Sequence, residues 1–243
     1  MARIEGAVTA ASLPEDAPVW RRHLHADGYG YGWLLVLILV TIGFQLAAGE
    51  TDAARVATII LQGATLLAAL RISEAHPWLF RAASAVTAVA VLSAAGLALS
   101  SGAMDEGSAR ALGLMLVLLA PAAIILGIVR QARAAGVITV RTMFGVLCVY
   151  LLIGSAFAFG YGVISAVGDG DFFAEISGGD HAEFLYFSFA TLTTTGFGDL
   201  TAAGNLGRSL AISEALIGQI YLVTVVALIV ANLGAARAGS RSS

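Results

Sequence analysis

The residues best suited to chemistry lie in one short stretch, Thr191-Leu192-Thr193-Thr194-Thr195-Gly196-Phe197-Gly198-Asp199-Leu200, set between two apolar segments. What this stretch offers is oxygen. Glycine supplies the positive φ values that let successive backbone carbonyls face one way. Stacked rings of such carbonyls replace the hydration shell of a dehydrated cation. Thr194-Thr195-Gly196-Phe197-Gly198 can hold such an extended backbone, and the Thr194 hydroxyl adds an innermost ring. One chain supplies one strand, so rings need four. Asp199 reads either as a loop carboxylate or as a charge at the outer mouth that raises the local cation concentration. The plain alternative is a glycine-rich outer loop that turns the chain, which does not explain the threonines, the aspartate and the half-length helix before them together.

The elements that must position this stretch are membrane helices. The 243 residues are 58% hydrophobic and 12% charged, with a mean hydropathy of +0.87, far above the apolar content of soluble domains. A span needs about 20 apolar residues. Apolar runs at 33–48, 54–70, 78–99, 109–129, 141–167 and 207–233 predict six spans, and a shorter run at 182–192 predicts a half-length helix. With a cytoplasmic N-terminus, ten of the thirteen arginines lie inside, leaving Arg55, Arg110 and Arg208 outside, while most loop carboxylates lie outside. This asymmetry agrees with the positive-inside rule and with both termini inside. The segment before Trp33 has no apolar core and reads as a polar tail rather than a signal peptide. There is no lysine, which excludes lysine-based nucleotide loops, and with abundant alanine hints at a GC-rich bacterial genome. The single cysteine, Cys148, reads as a packed thiol.

A second glycine string, Asp27-Gly-Tyr-Gly-Tyr-Gly-Trp33, stands at the cytoplasmic entrance of the first helix with no half-helix before it. Its rings are expected in an interfacial aromatic belt. The 191–200 stretch lies on the outer side, after a helix too short to cross, which must dip in and return; such backbone is tolerated where it lines water or is buried in protein. Asp180 and Glu183 predict a capping box at the start of that helix. Its carbonyl end would point into the membrane, where a helix C-terminus favours a cation.

The segment Ser188 to Leu222, with Thr194-Thr195-Gly196-Phe197-Gly198-Asp199 at its centre, resembles the pore region of tetrameric potassium channels, whose signature is T-x-G-[YF]-G-[DN]. The resemblance is strong over 141–233 and weak before residue 130. It implies an all-α membrane protein of six transmembrane helices plus a re-entrant pore helix and selectivity filter, with four subunits around one pore. The domains expected are a tail (1–32), a four-helix sensor-like region (33–130), a pore domain (131–234) and a short cytoplasmic tail (235–243). It further implies potassium selectivity, a homotetramer, the carbonyls of Thr194, Thr195, Gly196 and Phe197 as ion ligands, and no cofactor besides the permeant potassium ion. Phe197 and Thr195 depart from the commoner tyrosine and valine or isoleucine; Phe197 removes a hydroxyl that would anchor the filter from behind.

The last helix carries Leu222, Val226, Ile229 and Leu233 at helical spacing, a stripe for an inner cavity or for ordinary packing. Gly218 is either a hinge or a close-packing glycine. Glu214, the only carboxylate within a span, is a functional candidate, expected beside the pore helix as a brace for the filter backbone, with a proton sensor as the other reading. The fourth helix, 111–129, contains no charge to move in a field, so voltage gating is not expected. The tail after the last helix is too short for a regulatory domain. His23, His25, His76 and His181 have no metal-site spacing. Expected partners are copies of the chain and membrane lipids of a bacterial inner membrane, with no nucleic acid, no enzymatic triad and a regulatory partner not identifiable. A non-selective cation channel and a non-conducting scaffold subunit are the rival readings.

Overall fold

The structure, a computed structural model, describes residues 29–49, 51–73, 76–99, 106–135 and 140–239. The expectations for residues 1–28, including His23 and His25, and for 240–243 fall outside these residues, while 29–32 and 235–239 of the expected tails are helical. Among the described residues the chain is all-helical, in seven helices and no named strand: α1 (Tyr29–Ala47), α2 (Asp52–Ile72), α3 (Pro77–Leu99), α4 (Glu106–Ala135), α5 (Val140–Val167), α6 (His181–Leu192) and α7 (Asn205–Gly239). Five of them, α1 to α5, are long and apolar enough to cross a membrane. This is a multi-pass membrane protein.

The helices overrun the apolar stretches that predict them. α4 continues through Arg130 and Arg133 to Ala135, and α7 through Arg237 to Gly239, because polar residues end the oily face of a helix without ending its backbone bonding. α1 begins at Tyr29 rather than Trp33, which corrects the reading of the first glycine string. Trp33 is exposed, but Tyr31 is fully buried, and the Cys148 thiol donates to its carbonyl at 3.7 Å. Tyr31 is a core residue, not part of a surface belt.

α5 is the central post. It packs against α4, α6, α1 and α7, while α2 sits among α1, α3 and α4. One core cluster runs through α1 to α5. A second gathers Tyr161, Phe172, Phe173, Phe184, Phe187 and Ala202 around the start of α6. In the second cluster Phe172 and Phe173 meet edge to face at 5.0 Å, and Phe173 stacks on Phe184 at 5.1 Å. α6, twelve residues long, spans about 18 Å, well short of a hydrocarbon core of ~30 Å.

Candidate functional site

The start of α6 is held by local chemistry. The Asp180 side chain accepts from the Glu183 N–H, and Glu183 accepts from the Asp180 N–H, each at 2.8 Å, forming the expected capping box. The other end is closed by accounting for its carbonyls. The four terminal carbonyls of a helix have no intrahelical donor, and here each finds one. Phe189 accepts from the Thr193 N–H and hydroxyl, Ala190 from the N–H groups of Thr195 and Gly196, and Thr191 from the Thr194 N–H. Leu192 accepts from the Tyr150 hydroxyl of α5 at 3.2 Å.

The chain then leaves the helix with a left-handed residue at every second position: φ is +56° at Thr194, +55° at Gly196 and +79° at Gly198. In an ordinary strand successive residues face opposite sides. A left-handed residue at alternate positions cancels that alternation, the backbone condition for oxygens on one side. Two of the three positions are glycine, which takes such angles freely. Thr194 is not. A β-branched residue at positive φ is strained and persists only where its surroundings enforce it. The sequence carries no sign of this.

Behind the strand the hydroxyls are directional. Thr193 donates to the Phe189 carbonyl at 2.6 Å, which uses its only proton. At its 2.8 Å contact with Thr195 it therefore accepts, and Thr195 donates. The Thr195 hydroxyl thus ties the strand to the last turn of α6. On the outer side Tyr186 of α6 stacks on the Phe197 ring at 5.9 Å and 10°, and donates to the Asp199 carboxylate at 2.8 Å. The anchoring hydroxyl that Phe197 lacks is carried by Tyr186.

Glu214 is fully buried. One oxygen accepts from the Tyr161 hydroxyl of α5 at 2.5 Å, and the other lies 2.5 Å from the Ser188 hydroxyl of α6, whose single proton is shared between Glu214 and the Gly154 carbonyl at 2.7 Å. The carboxyl therefore joins three helices within one chain. Both oxygens are engaged by side chains of α5 and α6, not by the backbone of residues 194–198 where the sequence reading aimed them. Gly218, one turn further, is buried where an added Cβ would run into the Leu192 carbonyl, so it lets α7 close on the end of α6. Leu222 is half-buried. Val226, Ile229 and Leu233 are helical, and their side chains fall outside the described residues.

Beyond the strand the chain is clamped. Residues 172–174 pair with 201–203 through Ala174 N–H to Thr201 and Ala203 N–H to Phe172, both at 2.9 Å. Glu175 accepts from the Thr201 N–H at 2.7 Å and its hydroxyl at 2.6 Å. These bonds, the hydroxyl's first, hold the Glu175 carboxyl below its ordinary range. Arg110, counted on the outer side by charge alone, is buried at the start of α4. Its guanidinium donates to the carbonyls of Gly162 at 3.3 Å and Gly179 at 2.9 Å, and lies 5.0 Å over the Phe184 ring.

No curated protein and no solved structure matches this chain. Residues 136–234 match the family model described as ion channel. That stretch takes in α5, α6, the left-handed strand and nearly all of α7, so the C-terminal part of this membrane protein is similar to an ion-channel domain.

Proposed function

We propose that the chain is one subunit of a homotetrameric, potassium-selective channel that conducts passively. Residues 194–198 would furnish one of four strands lining the filter, and Asp199 would stand at its outer mouth. Six spans, with α7 as the inner helix, place both termini on the cytoplasmic side. The observation that carries the reading is the strand itself: alternate positive φ at 194, 196 and 198, with residues 193–199 exposed on the single chain. Beside it α7 exposes Ile212, Leu216, Ile220 and Val223. Three further copies would cover that apolar face and complete the rings of oxygen. The lining of the inner cavity is assigned to Leu222, Val226 and Ile229, with Gly218 as the point where α7 bends if it bends.

Rubidium uptake into liposomes carrying the purified protein tests this. Uptake driven by an outward potassium gradient, and suppressed little by external sodium, is the expected result. Equal sodium and rubidium fluxes would make the channel non-selective, and no flux from an assembled tetramer would make it a scaffold.

The four-helix region is proposed to hold the pore rather than to sense voltage. α4 has no charge from 111 to 129, and the arginine at its start is engaged with carbonyls of the pore segment. Each charge crossing the field contributes about 2.3 kcal/mol per 100 mV. Open probability in planar bilayers should therefore stay nearly flat between about −100 and +100 mV. A steep sigmoid carrying several gating charges would refute this.

A further inference from the structure

We infer that the cavity between α1, α2, α4 and α5 is a binding site for a single buried water, which accepts from the Gln62 carboxamide and donates to two of the hydroxyl oxygens of Thr41, Thr65 and Ser155. The cavity measures about 10 Å³, and these four residues line it with Gln45 and apolar side chains of α1, α4 and α5. Gln62 is 5% exposed, and neither its Nε2 nor its Oε1 has a hydrogen-bonding partner among the described residues. Leaving an amide unpaired in an apolar interior is costly, and buried polar groups are as a rule satisfied by protein or by ordered water.

Proton counting identifies the guest. Thr41 donates to the Leu37 carbonyl at 2.8 Å, Thr65 to Leu61 at 2.9 Å and Ser155 to Leu151 at 3.1 Å. Each hydroxyl has one hydrogen and has used it on its own helix, so each presents only an acceptor to the cavity. Gln62 adds one more acceptor and the donors of its amide. The lining thus calls for a molecule with two hydrogens to give and a lone pair to receive, in the space of about one water. No ionisable side chain lines the cavity, which disfavours a bare cation.

The site matters because of what borders it. Gln45 lines the same cavity and lies 3.0 Å from the imidazole Nε2 of His181, the first residue of α6. A water at this point pins α1, α2 and α5 together and backs the side chain that meets the start of α6. It gives the four-helix region a fixed, hydrogen-bonded edge against the channel-like C-terminal part.

Water-edited solid-state NMR of the full chain in lipid bilayers tests the site without any flux measurement. Magnetisation from water should reach the Gln62 side-chain amide and the side chains of Thr65 and Ser155. In Gln62→Met, which is of similar length and apolar, transfer to Thr65 and Ser155 should fall several-fold. If that variant does not fold, Thr65→Val, which keeps its branched shape, should lower the transfer at Gln62 several-fold. Wild-type protein showing no transfer at Gln62, or transfer unchanged by these substitutions, would overturn the inference.

Discussion

The two halves of the molecule are held together by different forces. In the channel-like C-terminal part, side chains bond across elements: Tyr150 to Leu192, Tyr161 and Ser188 to Glu214, Tyr186 to Asp199, Tyr221 to the Val146 carbonyl. In the four-helix region the hydroxyls of Thr41, Thr65, Ser84 and Ser93 turn back onto their own helices. Among the described residues, close approach also joins these helices, Gly63 against Thr87 and Gly127 against Ser73. Small residues let membrane helices pack without any directional bond. Directional bonds fix an atom to a few tenths of an ångström, whereas close packing fixes only a distance between surfaces. The strand that would bind ions needs the first kind of restraint, and a scaffold is served by the second.

If that division is right, the largest effect belongs to the strand. Gly196→Ala places a Cβ on a residue at φ +55°, a region that costs L-residues about 1–2 kcal/mol each. Nothing within 4 Å would obstruct the methyl group, so the strain is purely conformational. Rubidium flux should vanish while the tetramer survives in size-exclusion chromatography in detergent. Selective flux in this variant would remove the strand from the mechanism.

The next effect concerns the bonded core of the channel-like part. Glu214→Ala orphans the Tyr161 hydroxyl, at about 1–3 kcal/mol for a buried group, and leaves Ser188 only its bond to the Gly154 carbonyl. Thermal unfolding should drop by several degrees and single-channel openings should shorten. Glu214→Gln should restore both, because its amide oxygen accepts from Tyr161 while its nitrogen donates to Ser188, freeing the serine proton for Gly154. Identical behaviour of the two variants would mean that the network does not hold the strand.

In the four-helix region the matching test is Gly127→Ala, where a Cβ would press on the backbone and side chain of Ser73. Overpacking of this kind costs about 1–3 kcal/mol. The melting temperature should fall while the rubidium-to-sodium flux ratio stays unchanged. A changed ratio would show that the packed half also sets the filter.

How much of this was legible in the sequence depended on distance along the chain. The capping box at Asp180 and Glu183, the length of α6 and the glycines of the strand are local facts, and the sequence states them locally. The partners of Glu214 are 26 and 53 residues away, and those of Arg110 are 52 and 69 away. No periodicity connects residues so far apart, so Glu214 was placed near α6 but aimed at the wrong atoms, and Arg110 was counted only as a charge. Tyr186 was missed for another reason. An aromatic residue in an apolar run reads as core, and only the stacked Phe197 and the bonded Asp199 show it as the anchor. The left-handed angle at Thr194 has no signal in a threonine.

The smallest effect lies where the two ends of the re-entrant segment are clamped by Glu175 and Thr201. The carboxyl accepts two short bonds from Thr201, and these lower its pKa, the side-chain bond most and the backbone bond next. Because the folded value lies below the unfolded one, the clamp contributes stability above the unfolded pKa and loses it as pH falls through the folded pKa. The carboxylate is exposed, so water and salt screen much of this contribution. The outer loop should therefore be unchanged from neutral pH down through the ordinary carboxylate range and loosen only in stronger acid. A carbon-13 titration of the Glu175 carboxyl reads this directly, with Glu175→Gln as the variant whose loop no longer responds. A Glu175 midpoint in the ordinary range would show that the Thr201 bonds are not kept in solution, leaving the backbone pairing of 172–174 with 201–203 as the clamp.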